Sequence, residues 1–153
     1  MKENSYKNKS TLLEKLKSKS KREANLFFSL CEDDNETIKT KRFKDVLLNS
    51  GLKANDKRLF SLFQNLDAHG DKIVFEDFIE IIRSSELIVE KALRGELSIP
   101  DFTYFAKNLN DMFDEVKKVK SGELASYIPP LANVDPDQFG VAIVTTDGQI
   151  YQK

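Results

Sequence analysis

Two pairs in the chain have Ser-x-x-Lys spacing, Ser18 with Lys21 and Ser50 with Lys53. A basic group beside a serine can activate the hydroxyl for attack on an amide or ester carbonyl. The spacing alone carries no weight. With 12 serines and 19 lysines in 153 residues, chance supplies about 1.5 such matches. Ser18 lies in a lysine-rich terminus and Ser50 at a helix exit. Both are rejected, and no catalytic residue is assigned. Cys31 and His69 are the only residues of their types. A disulfide framework is therefore excluded, and a zinc site built from thiolate and imidazole is not expected.

A second chemistry is cation binding by oxygen-rich loops, of which there are two in matching stretches. The first stretch is Leu26-Phe27-Phe28-Ser29-Leu30, a polar loop to Ile38, then Phe43 with Val46 and Leu47. The second is Leu59-Phe60-Ser61-Leu62-Phe63, a polar loop to Ile73, then Phe78 with Ile81 and Ile82. In both, the loop isoleucine is followed five residues later by Phe. The pattern predicts helix–loop–helix twice, with Ile38 and Ile73 paired in a short antiparallel bridge. It resembles a pair of EF-hands.

Calcium wants oxygens at loop positions 1, 3, 5 and 7 and a bidentate carboxylate at 12. With Ile38 at position 8, the first loop offers Asp33 and Asn35 but has Cys31 at position 1 and Arg42 at position 12. Glu36 stands where the sharp turn favours Gly. The second loop ends well, with Asp77 at position 12. Its first half, Asp67-Ala68-His69-Gly70-Asp71-Lys72, is one residue short and turns His and Lys inward. The expectation is a structural pair without a metal site. His69 then reads as a polar loop residue, and Cys31 as a small buried apolar one.

Several function classes fall on composition. The chain has 24 basic and 25 acidic residues, a net charge of −1. A nucleic-acid binder needs a basic surplus, so none is expected. No apolar run is long enough to span a bilayer, and no secretory leader is visible. A cytoplasmic protein without membrane partners is the expectation. Residues 1–22 carry eight cations against Glu3 and Glu14. They read as a basic, disordered tail, with a basic arm for an anionic surface as the other reading. Thr11-Leu12-Leu13-Glu14 matches a helix capping box there. Charge density falls from about 37% before residue 121 to about 15% after it, a change of class that sets a boundary near Ser121-Gly122.

Element ends are well marked. Asn49-Ser50-Gly51-Leu52 predicts a helix stopped by a C′ glycine, and Asn55 or Asp56 a cap for the next helix. Leu87, Ile88, Ala92 and Leu93 form a stripe ended near Gly95. Pro100-Asp101 opens the longest amphipathic run, with Phe102, Phe105, Ala106, Leu109, Met112, Phe113, Val116 and Val119 on one face. That stripe is expected to pack in the core, with a partner-helix surface as the alternative.

After Gly122, Leu124–Ala132 is a short helical turn broken by prolines. Phe139–Val144 then reads as a buried strand, Thr146-Asp147-Gly148-Gln149 as a hairpin turn, and Ile150-Tyr151-Gln152 as the returning strand. A two-stranded hairpin is marginal alone, and so apolar a strand is usually covered on both faces. Residues 122–153 are therefore expected to be loose, or paired with another chain, and to be cut from a larger sheet.

The segments Gly122–Ala132, Asp135–Ala142 and Thr146–Gln149 resemble the opening of the serine-dependent glutaminases, which share a β-lactamase-like fold. Ile99-Pro100-Asp101-Phe102 and the helix–loop–helix pair resemble the N-terminal region of long-form glutaminases. The resemblance implies a parent enzyme hydrolysing L-glutamine to L-glutamate and ammonia, with a Ser-x-x-Lys motif beyond this hairpin. It implies that Tyr127 lines the glutamine pocket. It also implies dimers or tetramers and activation by anions, and no cofactor.

The resulting fold class is mainly α. A degenerate paired EF-hand-like domain (23–85) follows the tail (1–22). An amphipathic helical extension (86–121) and a β-hairpin stub of an α/β catalytic domain (122–153) complete it. The functional expectation is a non-catalytic assembly or regulatory region of a glutaminase, forming homo-oligomers through the parent enzyme. The alternatives are a free-standing EF-hand-like interaction module and a calcium sensor.

Overall fold

A computed structural model describes residues 21–31 and 36–153. The basic tail through Ser20, its capping box, Ser18 and the loop residues Asp33 and Asn35 lie outside the described residues.

The helix–loop–helix repeat forms as its apolar spacing requires. Helix α1 (Lys21–Leu30) leads through the first loop to β1 (Ile38–Lys39) and α2 (Thr40–Asn49). Helix α3 (Phe60–Ala68), β2 (Lys72–Ile73) and α4 (Phe75–Ile82) repeat the arrangement. The strands are antiparallel, with Ile38 opposite Ile73 and Lys39 opposite Lys72. Both isoleucines are fully buried, so the bridge seals the loop end of the core. Phe27 lies at the centre, its ring 5.3 Å from Phe75 and 5.6 Å from Phe78, both edge-on. Phe43 meets Phe78 at 5.5 Å. Such aromatic pairs add about 0.5–1.5 kcal/mol each beyond burial.

Helix α5 (Glu86–Arg94) closes this core with Val89 and Ala92. Leu87, expected on its inner face, points outward, and Val89 takes that role. The buried Glu90 beside it is neutralised by Arg22 of α1 and Arg94, one turn on. Gly95, at φ 66°, ends the helix as its sequence position predicts.

The next helix start differs from expectation. Asn55 and Asp56 precede a turn, and α3 begins only at Phe60, with Leu59 in the capping position and no side-chain cap. Asp56 instead accepts the Arg58 N–H at 2.9 Å, holding the turn before the helix. Its carboxyl is lowered below the usual range, chiefly by the Arg58 side chain. The longest helix among the described residues, α6 (Phe102–Val116), starts as predicted: Asp101 accepts the Tyr104 N–H at 2.9 Å.

The α6 stripe is not core. Only Phe102 and Phe113 are buried, whereas Met112 is 60% exposed and Val116 and Val119 are also open. The first five helices already close the core around one another, leaving α6 little to cover. Phe102 packs on Gly51, and Phe113 stacks near Phe139 at 4.8 Å.

Beyond α6 the chain runs through a single 3₁₀ turn (Pro129–Leu131) to the hairpin of β3 (Ala142–Val144) and β4 (Ile150–Gln152). Ile143 faces Tyr151 across it. The strand expected over Phe139–Val144 is shorter and not buried: Val144 is 66% exposed and Phe139 half-exposed. The expectation of a loose hairpin also needs correction. Its tip and β4 are hydrogen-bonded to the helical unit, while Ala142 and Val144 face outward. The apolar strand is thus anchored but not enclosed.

Candidate functional site

The two loops lie back to back. The Thr40 N–H donates to Asp71 O at 3.0 Å, and its hydroxyl donates to Gly70 O. In the second loop His69 Nε2 lies 3.1 Å from Asp77 Oδ2, while its Nδ1 is buried with no partner among the described residues. Asp67 is paired with Lys44. The carboxylates at the first and last positions of this loop therefore already face side chains of the same chain. Arg42 stands where the first loop would need its bidentate acid. Among the described residues, no group of three or more His, Cys, Asp or Glu side chains is placed to hold a metal ion. These residues do not fit a calcium site.

The other sequence-picked residues are scattered. The Ser50 hydroxyl donates to Leu47 O at 2.7 Å, completing the exit of α2 rather than meeting a base. Cys31 is half-buried against the core, its thiol 3.4 Å from Phe27 O. Tyr127 stands on a turn and is 85% exposed.

The best-built polar constellation is one that the spacing of residues did not suggest. It lies where the hairpin tip meets the helical unit. Gln149 is fully buried there, and both ends of its amide are satisfied. Its Nε2 donates to Ser50 O and to Ile99 O, each at 2.8 Å. Its Oε1 accepts from the Ile99 N–H at 2.9 Å. Ile150 N donates to Gly51 O at 2.9 Å. Asp147 accepts from Lys91 at 2.9 Å and from the Ser98 N–H and hydroxyl, each at 2.8 Å. Its backbone carbonyl accepts from Arg58 at 2.8 Å. Lys91 first, then Ser98, holds the Asp147 carboxyl down at about 2. A Cβ at Gly148 would meet the Arg58 guanidinium, and φ is 89° there, so this turn needs glycine. The site can bind and orient backbone, but it holds no nucleophile–base pair. Sequence pattern marked its Thr146–Gln149 turn but not its partners: Lys91, Ser98 and Ser50 are 56, 49 and 99 residues away from theirs.

Two family matches divide the chain along this joint. The family described as EF-hand domain matches residues 22–100. The chain belongs to the EF-hand domain family. The family described as glutaminase matches residues 122–153. The two EF-hand loops and the docked hairpin are thus segments of different family origin. The chain is 31% identical over 130 residues to the mitochondrial liver isoform of glutaminase from Rattus norvegicus, covering 81% of this chain and 21% of that protein. It is 52% identical over 63 residues to the glutaminase of Trichormus variabilis, covering 41% of the chain and 19% of that protein. A glutaminase from Psychrobacter cryohalolentis is 52% identical over 44 residues, 28% of the chain and 14% of that protein. The chain spans about a fifth of the length of that mitochondrial liver glutaminase and of a glutaminase from Caenorhabditis elegans that it also matches. Together these findings support the N-terminal region of a glutaminase. Among the described residues no helix is long and apolar enough to cross a membrane.

Proposed function

We propose that this chain is the non-catalytic assembly and regulatory region of a glutaminase whose full-length form hydrolyses L-glutamine to L-glutamate and ammonia. The observation that carries this reading is the union of two family segments in one packed unit. The glutaminase segment's hairpin is bonded at its tip to the EF-hand pair, with Gln149 buried between them. A segment attached so specifically is suited to position a sheet, and nothing in the joint performs hydrolysis. In this reading Tyr127, exposed in the glutaminase segment, faces the glutamine pocket once the catalytic sheet is present. The assembly is a homo-oligomer of the parent enzyme, in a cytoplasmic setting.

Ammonia release from L-glutamine tests the reading. The 153-residue chain is expected to be inactive, and the longer polypeptide that carries it active. Removing residues 22–100 from that polypeptide is expected to change the number of subunits per particle, measured by light scattering against the mass of the shortened chain. Turnover by the 153-residue chain itself, or an unchanged subunit number and activity after the deletion, would overturn the proposal. For Tyr127, the Tyr127→Phe variant of the longer polypeptide is expected to lose activity at least tenfold; full activity would remove it from the pocket.

A further inference from the structure

Gly51 is touched from three directions. Its N–H donates to Leu48 O at 3.0 Å, ending α2, and its carbonyl accepts from Ile150 N at 2.9 Å. Its Cα abuts Phe102, the first residue of α6: a Cβ placed there would lie 2.6 Å from the ring. The exit of α2, the start of α6 and strand β4 thus converge on one residue. Gln149 joins the same three elements by hydrogen bonds. One amide side chain spans Ser50 O at the exit of α2 and both backbone groups of Ile99, just ahead of α6.

We infer that Gln149 is a coupling bolt: it fixes the direction in which α6 leaves the EF-hand pair, so that hairpin position and α6 orientation change together. The geometry behind this is specific. Helix α2 begins at the loop bridge, at Thr40, and ends at the Ser50–Gly51 node, so its two ends touch the loop pair and the hairpin. Toward the pair α6 adds the Thr103 hydroxyl bond to Asn49 O at 3.3 Å, while Met112 and Val116 of its apolar face stay open. Further along, Asn110 accepts from the Tyr151 hydroxyl at 3.0 Å and Asp114 pairs with Lys153 at 2.6 Å, so β4 also grips the middle of α6. Hairpin and α6 form one arm, joined to the EF-hand pair at the Gly51–Gln149 node and, at the hairpin tip, through Asp147 to Lys91 and Arg58.

Coupling of this kind is reciprocal. A displacement of the hairpin must reorient α6, and a change at the α2 exit must reach the hairpin. Where the chain serves as a glutaminase region, this deepens that reading by naming the route between the EF-hand pair and the catalytic sheet. The test below does not depend on glutaminase activity, so the two can fail separately.

The experiment is amide hydrogen exchange, read by mass spectrometry, on the full 153-residue chain and two variants. Gln149→Met keeps the length and volume of the side chain but makes none of its three hydrogen bonds to Ser50 and Ile99. Gln149→Glu keeps the acceptor for Ile99 N–H and sets an oxygen against two carbonyls. Asp147→Asn serves as a comparison that loosens the tip without touching Ser50 or Ile99. Both Gln149 variants are expected to raise exchange at least tenfold at the bonded amides of Ile99, Tyr104 and Phe105 as well as at Ile150. Asp147→Asn is expected to raise it only around Ser98 and the hairpin tip. Protection at Ile38, Ile73 and Phe43–Leu47 is expected to stay as in the parent chain. Faster exchange confined to 145–151, with Ile99–Phe105 unchanged, would overturn the inference, because Gln149 would then serve only its own turn. Equal loss of protection over the whole chain in both Gln149 variants would overturn it too, since the residue would then be a general stabiliser.

Discussion

The ring of Phe102 occupies the space where a side chain on Gly51 would stand. Gly51 also has φ 88°, a left-handed conformation that strains any residue with a Cβ. Both facts point the same way for Gly51→Ala. The variant must displace the first ring of α6 and accept the strained backbone, at a cost of about 2–4 kcal/mol. Denaturant unfolding of the two proteins checks this, and a loss under about 1 kcal/mol would show that the ring moves aside freely.

Asp147 makes stability depend on acid. Its carboxyl is held down from the usual 3.8 to about 2, first by Lys91 and then by Ser98. A group whose folded pKa is depressed stabilises the fold above its unfolded pKa and loses that contribution as pH falls through the folded one. The parent chain is therefore expected to exceed Asp147→Asn in stability by a constant margin above about pH 4. The margin should shrink as pH drops toward 2 and vanish below it. Parallel unfolding curves across that window check the sign. A margin that grows on acidification would refute the assignment.

How much of this was legible beforehand depends on the range of the interaction. The Ile38–Ile73 bridge was readable because a repeated isoleucine five residues before a Phe places both at equivalent loop positions. The Gly51 and Gly95 stops and the Asp101 cap were readable because each acts on its own helix end. The hairpin turn was visible from Asp147-Gly148, but its socket was not. Lys91, Ser98, Ile99 and Ser50 look like ordinary surface and loop residues until the chain folds and places them around one glutamine. Gln149 itself carries no periodic signal, and a buried amide is recognisable only from its partners. The α6 stripe misled for a related reason. Spacing reports which face is apolar but not whether the remaining helices have already closed the core.

That last point gives a direct comparison. Met112 lies in the α6 stripe but is 60% exposed, whereas Phe78 is fully buried against Phe27 and Phe43. Met112→Ser is expected to change stability by no more than about 0.5 kcal/mol, as for an ordinary surface site. Phe78→Ala is expected to cost about 3–5 kcal/mol through lost burial and the cavity left behind. Thermal unfolding of both variants separates the two cases. A loss above about 2 kcal/mol at Met112 would mean that the stripe is covered in solution.

The loops make the sharpest chemical prediction. Calcium binding to the folded state would raise stability by an amount set by its concentration relative to the dissociation constant. A sensor-grade site saturated a hundredfold would add about 2.7 kcal/mol, an effect visible in any thermal scan. Here Arg42 stands at the first loop's coordinating end, and Asp77 of the second already faces His69 at 3.1 Å. An ion in the second loop would have to displace that imidazole, and one in the first would sit beside a guanidinium. No shift in unfolding temperature is therefore expected at sub-millimolar calcium, and none in the His69→Ala variant, which frees Asp77 but restores no missing oxygen. Stabilisation of the parent chain by more than about 1 kcal/mol would show that backbone carbonyls and water complete a site the side chains do not.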